Sequence, residues 1–422
     1  MAKMKSRRLT KLADLCAKVR IWGWAGIVSF LRREVNARLR GRELRKLHAK
    51  SKTAVPERGI TVIGELSECY GLSKTLRDFI VLLKAANIPV QTFDTTWKPR
   101  IPSGDIAGLL TPKADFDLHR YSHIVIMFRS PLPKDLAVGH TVGRIVFHEG
   151  DHGIHSTTPI LRESGDDIIA MSDFNYQYFK RAFPNQGVWK IIYPFRFREI
   201  TAMPRDEVRR KYGIGENDFV VFFNFDFGSY YRKNIPGAMM AFATAFKGDR
   251  TARLVFKTKG AKENKRQVAD MMSKAMELGI SDQFLHIPQF LPKADIDGLA
   301  GACDVYLSLH KAEGFGLGIA EAMSQGKPVV VTGWSGNLEF CHEDTAWLVP
   351  YKKVPILPYE YPVSMKEWAE ADVDAAAAAL REIRRDPAAA ALRAERGARF
   401  MNDHFTLTNF KDSVDSFLDG RK

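Results

Sequence analysis

Glu313 and Glu321 stand eight residues apart on either side of a glycine-rich run, Gly314-Phe315-Gly316-Leu317-Gly318. Eight residues is about two turns of helix. A glycine run that opens a helix leaves backbone N–H groups uncovered at the positive end of the helix dipole, which favours an anionic group, typically phosphate. A carboxylate at the mouth of such a cradle repels phosphate, so it needs another task. Accepting hydrogen bonds from sugar hydroxyls is the natural one. The amides of Gly314, Phe315, Gly316 and Leu317 for a diphosphate, Glu313 for a hexose and Glu321 for a ribose together describe a nucleotide-sugar site. Glutamates at this spacing also recur by chance, one in a solvated loop and one on a surface helix, so the surroundings decide.

Those surroundings are two apolar runs, 305–309 and 328–331, whose β-branched residues read as buried strands. Strand, glycine turn, helix and strand make a βαβ unit. Within it the string E-G-F-G-L-x-x-x-E-A-M, residues 313–323, resembles the signature of retaining glycosyltransferases with two Rossmann-like domains (the GT-B fold), specifically glycosyltransferase family 4. The resemblance covers about residues 58–418 and is strongest over 218–350. It implies an α/β chain of two Rossmann-like domains facing a cleft, with the nucleotide sugar held by the second. The implied activity is transfer of a sugar from a nucleoside diphosphate to an acceptor hydroxyl with retention. No metal and no cofactor beyond the nucleotide-sugar donor are expected, because protein cations and dipoles replace the ion.

The same resemblance places a diphosphate-binding Lys or Arg after the strand 218–225. Ser229, Arg232, Lys233 and Asn234 fit one branch of the family there, although the more widespread Gly-Arg pair upstream is missing. Basic residues at the start of a helix oppose its dipole, so Arg232 and Lys233 need an anionic partner or full solvation. Which of them meets phosphate stays open. Lys257 ends the strand 253–258, where ligands bind in open α/β sheets, and is a further phosphate candidate against the reading of a solvated lysine. The loop 289–291 is expected near the nucleotide base, and 332–337 along the pocket wall.

In the first half, strands are expected at 59–64, 89–93, 122–128 and 143–147, with a helix over 73–86. Gly71, at the mouth of that helix, lies where the fold admits acceptor or donor phosphate, though a turn glycine before a helix is common. His148 and Glu149 follow the strand 143–147 and are the acceptor-side catalytic candidates, against a polar surface loop. No further ligands cluster near them, so a metal site is declined. Asp115-Phe116-Asp117 matches the D-x-D of metal-dependent transferases of another fold, but it precedes a strand outside the nucleotide domain and is expected in solvent.

Composition sets the outer bounds. The 422 residues are 45% hydrophobic and 27% charged, ordinary for a globular chain of two domains. Cys16, Cys69, Cys303 and Cys341 show no metal-ligand spacing and suit reduced thiols of a cytoplasmic protein. Neither a signal peptide nor a membrane-spanning apolar run is evident. The net charge of +14 is concentrated: residues 1–52 carry +13 of it. On a helix, Ile21, Trp24, Val28, Leu31, Val35 and Leu39 of this arm share one face between flanking arginines. Such a segment suits an anionic membrane surface, or alternatively packing on its own catalytic domain or on a partner. Nucleic acid is disfavoured, because the rest of the chain is not basic.

The expected organisation is therefore a basic arm (1–52), an acceptor domain (53–196) and a nucleotide-sugar domain (197–400), with the last helix (401–422) packing back on the first. The expected function is a glycosyltransferase of cell-surface polysaccharide or lipid-linked glycan assembly, cytoplasmic and peripheral on the inner face of the membrane, with a glycan or lipid-linked acceptor. The alternatives are a nucleotide-sugar epimerase of related fold, or a non-catalytic membrane-binding partner subunit.

Overall fold

The computed structural model describes residues 35–36, 38–49, 51, 55–68, 71–96, 98–127, 132–149, 153–154, 158–194, 203–357, 360 and 364–420. The strands of the first half are, in chain order, β1 (Glu57–Gly64), β2 (Val90–Asp94), β3 (Tyr121–Met127), β4 (Thr141–Ile145), the two-residue β5 (Gly153–Ile154), β6 (Asp167–Ala170) and β7 (Val188–Lys190). All but β5 join one sheet in the order β2-β1-β3-β4-β6-β7. β1 pairs in parallel with β2 and β3, and β3 with β4. The last six residues of β1 are buried without alternation, as in a sheet covered on both faces.

The second half contributes β8 (Phe219–Asp226), β9 (Ala252–Lys259), β10 (Phe284–Ile287), β11 (Val305–Ser308), β12 (Val329–Thr332) and β13 (Trp347–Val349). These form a second six-stranded parallel sheet in the order β10-β9-β8-β11-β12-β13. Counted within the sheet this is 3-2-1-4-5-6, the dinucleotide-fold order, in which ligands bind beyond the carboxyl ends of the strands where the order reverses. The reversal falls between β8 and β11. The segments leaving those two strands carry Arg232, Lys233 and Glu313. Topology thus gathers residues far apart in sequence.

Outside the two sheets, β14 (Tyr351–Pro355) pairs antiparallel with β16 (Glu367–Ala371), and β15 (Ser364–Met365) pairs antiparallel with β5. The strand β14 takes its hydrogen-bond partners from distant residues, which local propensity does not reveal.

By compactness the chain divides into one unit of residues 1–146, 157–168 and 418–421 and another of 147–156, 169–417 and 422. His148, Glu149 and the segment from Ile169 therefore cluster with the second sheet.

The arm is not uniform. Residues 1–34, with Ile21, Trp22, Trp24, Val28 and Leu31, lie outside the described residues. Residues 38–48 are helical and belong to the first unit. Leu44 is fully buried in a cluster with Phe93, Phe116, Ile124 and Ile126. Arg40 donates to the Thr96 carbonyl at 2.8 Å, and Arg45 chelates Asp135 at 2.8 and 2.9 Å. Of the expected apolar face, Val35 and Leu39 are described, and they are 49% and 42% exposed. Among the described residues no helix is long and apolar enough to cross a membrane.

Candidate active site

Beyond β8 the chain reaches Asn234, whose backbone is left-handed (φ 52°) and whose side chain accepts from Gly237 N to cap the helix Ile235–Phe246. Asparagine tolerates that conformation and caps well. The turn delivers Arg232 and Lys233 immediately before the helix. The Arg232 guanidinium, only 8% exposed, donates to the Ala312 carbonyl at 2.9 Å and to Ser229 Oγ at 3.1 Å. It also lies 3.2 Å from a carboxylate oxygen of Glu313 and 3.2 Å from one of Glu149. Lys233 ion-pairs with Glu313 as well. The anionic partners that these basic residues require are thus supplied by two of the site carboxylates.

Glu313 is held by its main chain. Its N–H donates to Ser335 Oγ at 2.9 Å, and its carbonyl accepts from Gly336 N at 2.9 Å. Ser335 adopts φ 78°, ψ −150°, a region essentially restricted to glycine. A Cβ on Gly336 would stand 2.2 Å from the Gly314 carbonyl oxygen, so the two loops touch through their backbones. Sequence reasoning assigned the hydroxyls and amides of 332–337 to the pocket wall. Ser335 Oγ and Gly336 N are instead engaged by the Glu313 backbone. Burial pushes the Glu313 carboxyl toward neutrality, but the charges of Lys233 and Arg232 outweigh it and bring its pKa down to about 2. At neutral pH it is a fixed anion that can accept hydrogen bonds and cannot donate a proton.

The helix that follows, Leu317–Ser324, starts from Gly316 at φ 97° with no side chain capping its first turn. Ile319 N and Ala320 N donate to the Gly316 carbonyl at 3.0 Å each, so the amides ahead of them, those of Leu317 and Gly318, are the ones placed for an outside acceptor. Gly318 lets this end settle onto the sheet: a Cβ there would meet Tyr306 Oη at 2.5 Å and Asn224 Oδ1 at 2.9 Å. Tyr306 in turn donates to Asn224 Oδ1 at 2.6 Å. Phe315 turns its ring into the core against Phe340 and Phe405, so only its main chain serves the site. Glu321 is half-buried one turn along. Burial, then the charges of Glu321 and Glu313, raise the Tyr306 phenol.

His148 and Glu149 are brought to the same loop. A Cβ on Gly314 would lie 3.0 Å from Phe147 Cβ. Asn175 joins the segments: its Oδ1 accepts from His148 N at 2.6 Å, and its Nδ2 donates to the carbonyls of His148 and Gly314, each at 3.0 Å. Ser172 Oγ also donates to the Gly314 carbonyl, at 2.7 Å. Sequence reasoning missed Ser172 and Asn175. The signal was present, since Ser172 precedes the helix Asp173–Ala182 as its N-cap and accepts from Asn175 N. The His148 ring is fully buried and stacks on Tyr178 at 3.5 Å between centroids, whereas Glu149 is half-buried and meets Arg232.

Lys257 lies on β9 level with Asn224, 9% exposed. Among the described residues its side chain makes no hydrogen bond or ion pair. Burial and the neighbouring Lys259 lower its pKa, with Asp226 opposing. Lys311, the next buried cation, is neutralised by Glu370 at 2.6 Å and covered by the Trp368 ring. Gly71 opens the helix Gly71–Ala85 in the first unit and is exposed, with nothing within 4 Å of where a Cβ would stand. The D-x-D brackets a core residue: Phe116 is buried, Asp115 exposed, and Asp117 accepts from Ser51 Oγ and His119 N. Among the described residues no group of three or more His, Cys, Asp or Glu could hold a metal ion.

Two parallel Rossmann-like sheets with these segments at the reversal point define the GT-B fold class. Residues 204–354 match the family described as Glycosyl transferases group 1. That span includes Arg232, Lys233, Lys257, Glu313 and Glu321 and excludes His148, Glu149 and Gly71. EpsD of Bacillus subtilis (strain 168), itself only provisionally named a glycosyltransferase, is 27% identical over 148 residues, which is 35% of this chain and 36% of that protein. The alignment thus spans about a third of the curated relative. Among solved structures, sucrose-phosphate synthase from Thermosynechococcus elongatus superposes with TM-score 0.62 at 16% identity, over 86% of this chain and 99% of that one. Anabaena Alr3699/HepE, solved with UDP-glucose, gives 0.60 at 17% identity, over 86% and 100%. At these identities the likeness is one of fold.

Proposed function

We propose that the chain is a retaining, metal-independent glycosyltransferase that moves a sugar from a nucleoside diphosphate to an acceptor hydroxyl, serving cell-surface polysaccharide or lipid-linked glycan assembly. The observation that carries this reading is the ionised, buried Glu313 gripped by Arg232 and Lys233 at the entrance to an uncapped helix. The uncapped amides and Lys257 receive the diphosphate, and Arg232 and Lys233 stabilise the charge that builds as it departs. Glu313 accepts hydrogen bonds from the donor sugar and eases the positive character at its anomeric carbon. Glu321 accepts from the ribose hydroxyls. Phe290, 77% exposed beyond β10, offers a face to the base.

On the acceptor side, Glu149 is the more accessible of the two candidates, while His148 shapes the segment from beneath. The acceptor oxygen attacks on the face from which the diphosphate leaves, and a departing phosphate oxygen takes its proton, so the anomeric configuration is kept. Three cations around the leaving group supply what a divalent ion supplies elsewhere. The arm brings the enzyme to an anionic membrane on the cytoplasmic side. The likeness to a UDP-glucose-bound structure makes UDP-sugars the first donors to try.

The test is transfer from a radiolabelled UDP-sugar to membrane extract in EDTA, followed by NMR of the product's anomeric proton. Product of retained configuration in EDTA is expected. Inverted product, or turnover that needs Mg²⁺ or Mn²⁺, contradicts the proposal. Donor isomerisation without acceptor indicates the epimerase instead.

A further inference from the structure

Asn175 is fully buried in the first turn of the helix Asp173–Ala182, and its side-chain amide is spent on main chain. Toward residue 148 it acts as a peptide group acts in a sheet. Its Oδ1 accepts from His148 N at 2.6 Å, and its Nδ2 donates to the His148 carbonyl at 3.0 Å. Those two bonds fix the plane of the carboxamide. Nδ2 carries two protons, and the second goes to the Gly314 carbonyl, also at 3.0 Å. The direction of that last bond is therefore set by the first two.

The helix that carries Asn175 is itself anchored. Asp173 N donates to Glu339 at 2.6 Å, and Lys190 bridges Asp173 and Glu339 at 2.9 and 2.8 Å. Ser172 Oγ, just ahead of the helix, adds a second bond to the Gly314 carbonyl at 2.7 Å. Glu339 closes the short helix Gly336–Glu339, whose Gly336 N binds the Glu313 carbonyl at 2.9 Å. The carbonyls of Glu313 and Gly314 are thus both claimed by the protein. A trans peptide carries its C=O and N–H on opposite sides. Holding the Gly314 carbonyl against Asn175 and Ser172 therefore aims the Phe315 amide away from them, at the entrance to the helix Leu317–Ser324.

We propose that Asn175, assisted by Ser172, is a positioning residue for the diphosphate: it sets which way the Gly314–Phe315 peptide faces. The proposal rests on the glycosyltransferase reading and assigns to that site the residue that orients its anion cradle. The orientation matters because a peptide N–H attracts an anion and a carbonyl oxygen repels one. Turned over, this peptide would oppose the ligand that the neighbouring Leu317 and Gly318 amides attract. Asparagine fits the place because the three main-chain groups around it need one acceptor and two donors in a plane. An ionised aspartate offers acceptors alone, and a leucine offers neither.

The experiment compares Asn175→Asp with the original, both full length, by calorimetry with UDP, GDP and ADP and with the three matching nucleosides, at pH 6 and pH 8.5. Burial and the two facing carbonyls favour the neutral acid, so the introduced carboxyl titrates above the usual aspartate value of about 3.9. Protonated, it donates to one carbonyl; ionised, it repels both. At pH 8.5 the variant should bind the preferred diphosphate about tenfold or more weakly than the original does, the scale of misdirecting one hydrogen bond to a charged group. Its nucleoside affinity should be unchanged, and the diphosphate loss relative to the original should shrink at pH 6. Ser172→Ala removes one of the two donors to the Gly314 carbonyl and should show a smaller loss, again confined to the diphosphate. If Asn175→Asp does not melt cooperatively, Ser172→Ala decides on the same criterion. Diphosphate affinity equal to the original's in the deciding variant overturns the proposal, and so does a loss shared equally by diphosphate and nucleoside, which is what a purely structural role gives. If the original binds none of the three diphosphates, the glycosyltransferase reading falls and the proposal with it; diphosphate binding that both variants retain in full overturns the proposal alone.

Discussion

The Arg232 guanidinium lies 3.2 Å from the Glu313 carboxylate, and both groups are almost wholly removed from water. Their positions differ by about eighty residues in sequence, yet they meet where the second sheet reverses its strand order. The pairing explains why a carboxylate can stay ionised in that burial, and it holds the cation and the anion of the site in register before any ligand arrives.

Glu313→Gln removes the charge and keeps the shape. Transfer is expected to fall by about a hundredfold or more, the scale of losing one preorganised electrostatic contact in the transition state. Stability is expected to fall too, by up to about 3 kcal/mol, because Arg232 and Lys233 lose a buried partner. The loss belongs to pH values above the ordinary glutamate pKa of 4.5. Below it the original protein loses the same stabilisation, as Glu313 is protonated on the way down toward about 2. Urea titrations of both proteins at neutral pH and near pH 3 check this, with the difference shrinking in acid.

Ser335→Gly separates strain from function. Glycine accepts the φ of 78° without penalty, so the melting temperature should hold or rise; strain of this kind costs about 1–3 kcal/mol. The same change removes the Oγ that receives Glu313 N–H, so kcat should fall by about tenfold while KM for the donor moves little. A fall in melting temperature together with unchanged kcat would make Ser335 a packing residue alone.

Much of this centre was legible in the sequence because it is local. The run from Glu313 to Glu321 shows its glycines, its helix and its carboxylates in one short stretch, and the strands beside it are continuous apolar runs. What stayed hidden depends on long-range contact. Nothing adjacent to Arg232 says that Glu149 lies beside it, and Asn175 looks like an ordinary residue of a capped helix until His148 and Gly314 are found on it. The arm was hidden for the same reason. Its charge reads as one basic segment, whereas Leu44 is a core residue of the first unit.

That difference sets where the arm can be cut. A chain beginning at residue 35 should fold with the stability of the whole protein. One beginning at residue 55 loses Leu44 from the core and should be less stable by about 2–5 kcal/mol, the range for removing a buried leucine. The full chain should sediment with anionic vesicles at low salt and be released at high salt, as the screening length falls from about 10 Å at 0.1 M to about 3 Å at 1 M. The chain beginning at residue 35 should stay in solution. Full-length protein that ignores anionic vesicles would show that the arm serves another purpose.

The central claim is that residues 226–321 bind a nucleoside diphosphate sugar, and thermal unfolding against a panel of nucleoside diphosphates and their sugars tests it most directly. A ligand that binds only the native state raises its stability by about 2.7 kcal/mol at a hundredfold excess over Kd. At least one base should raise the melting temperature of the original protein without added metal. In Lys257→Met the rise should shrink in step with an affinity loss of about tenfold to a hundredfold, the range for removing a charge-assisted hydrogen bond. A panel in which no nucleotide shifts the transition, or one in which Lys257→Met responds as the original does, would contradict the site described above.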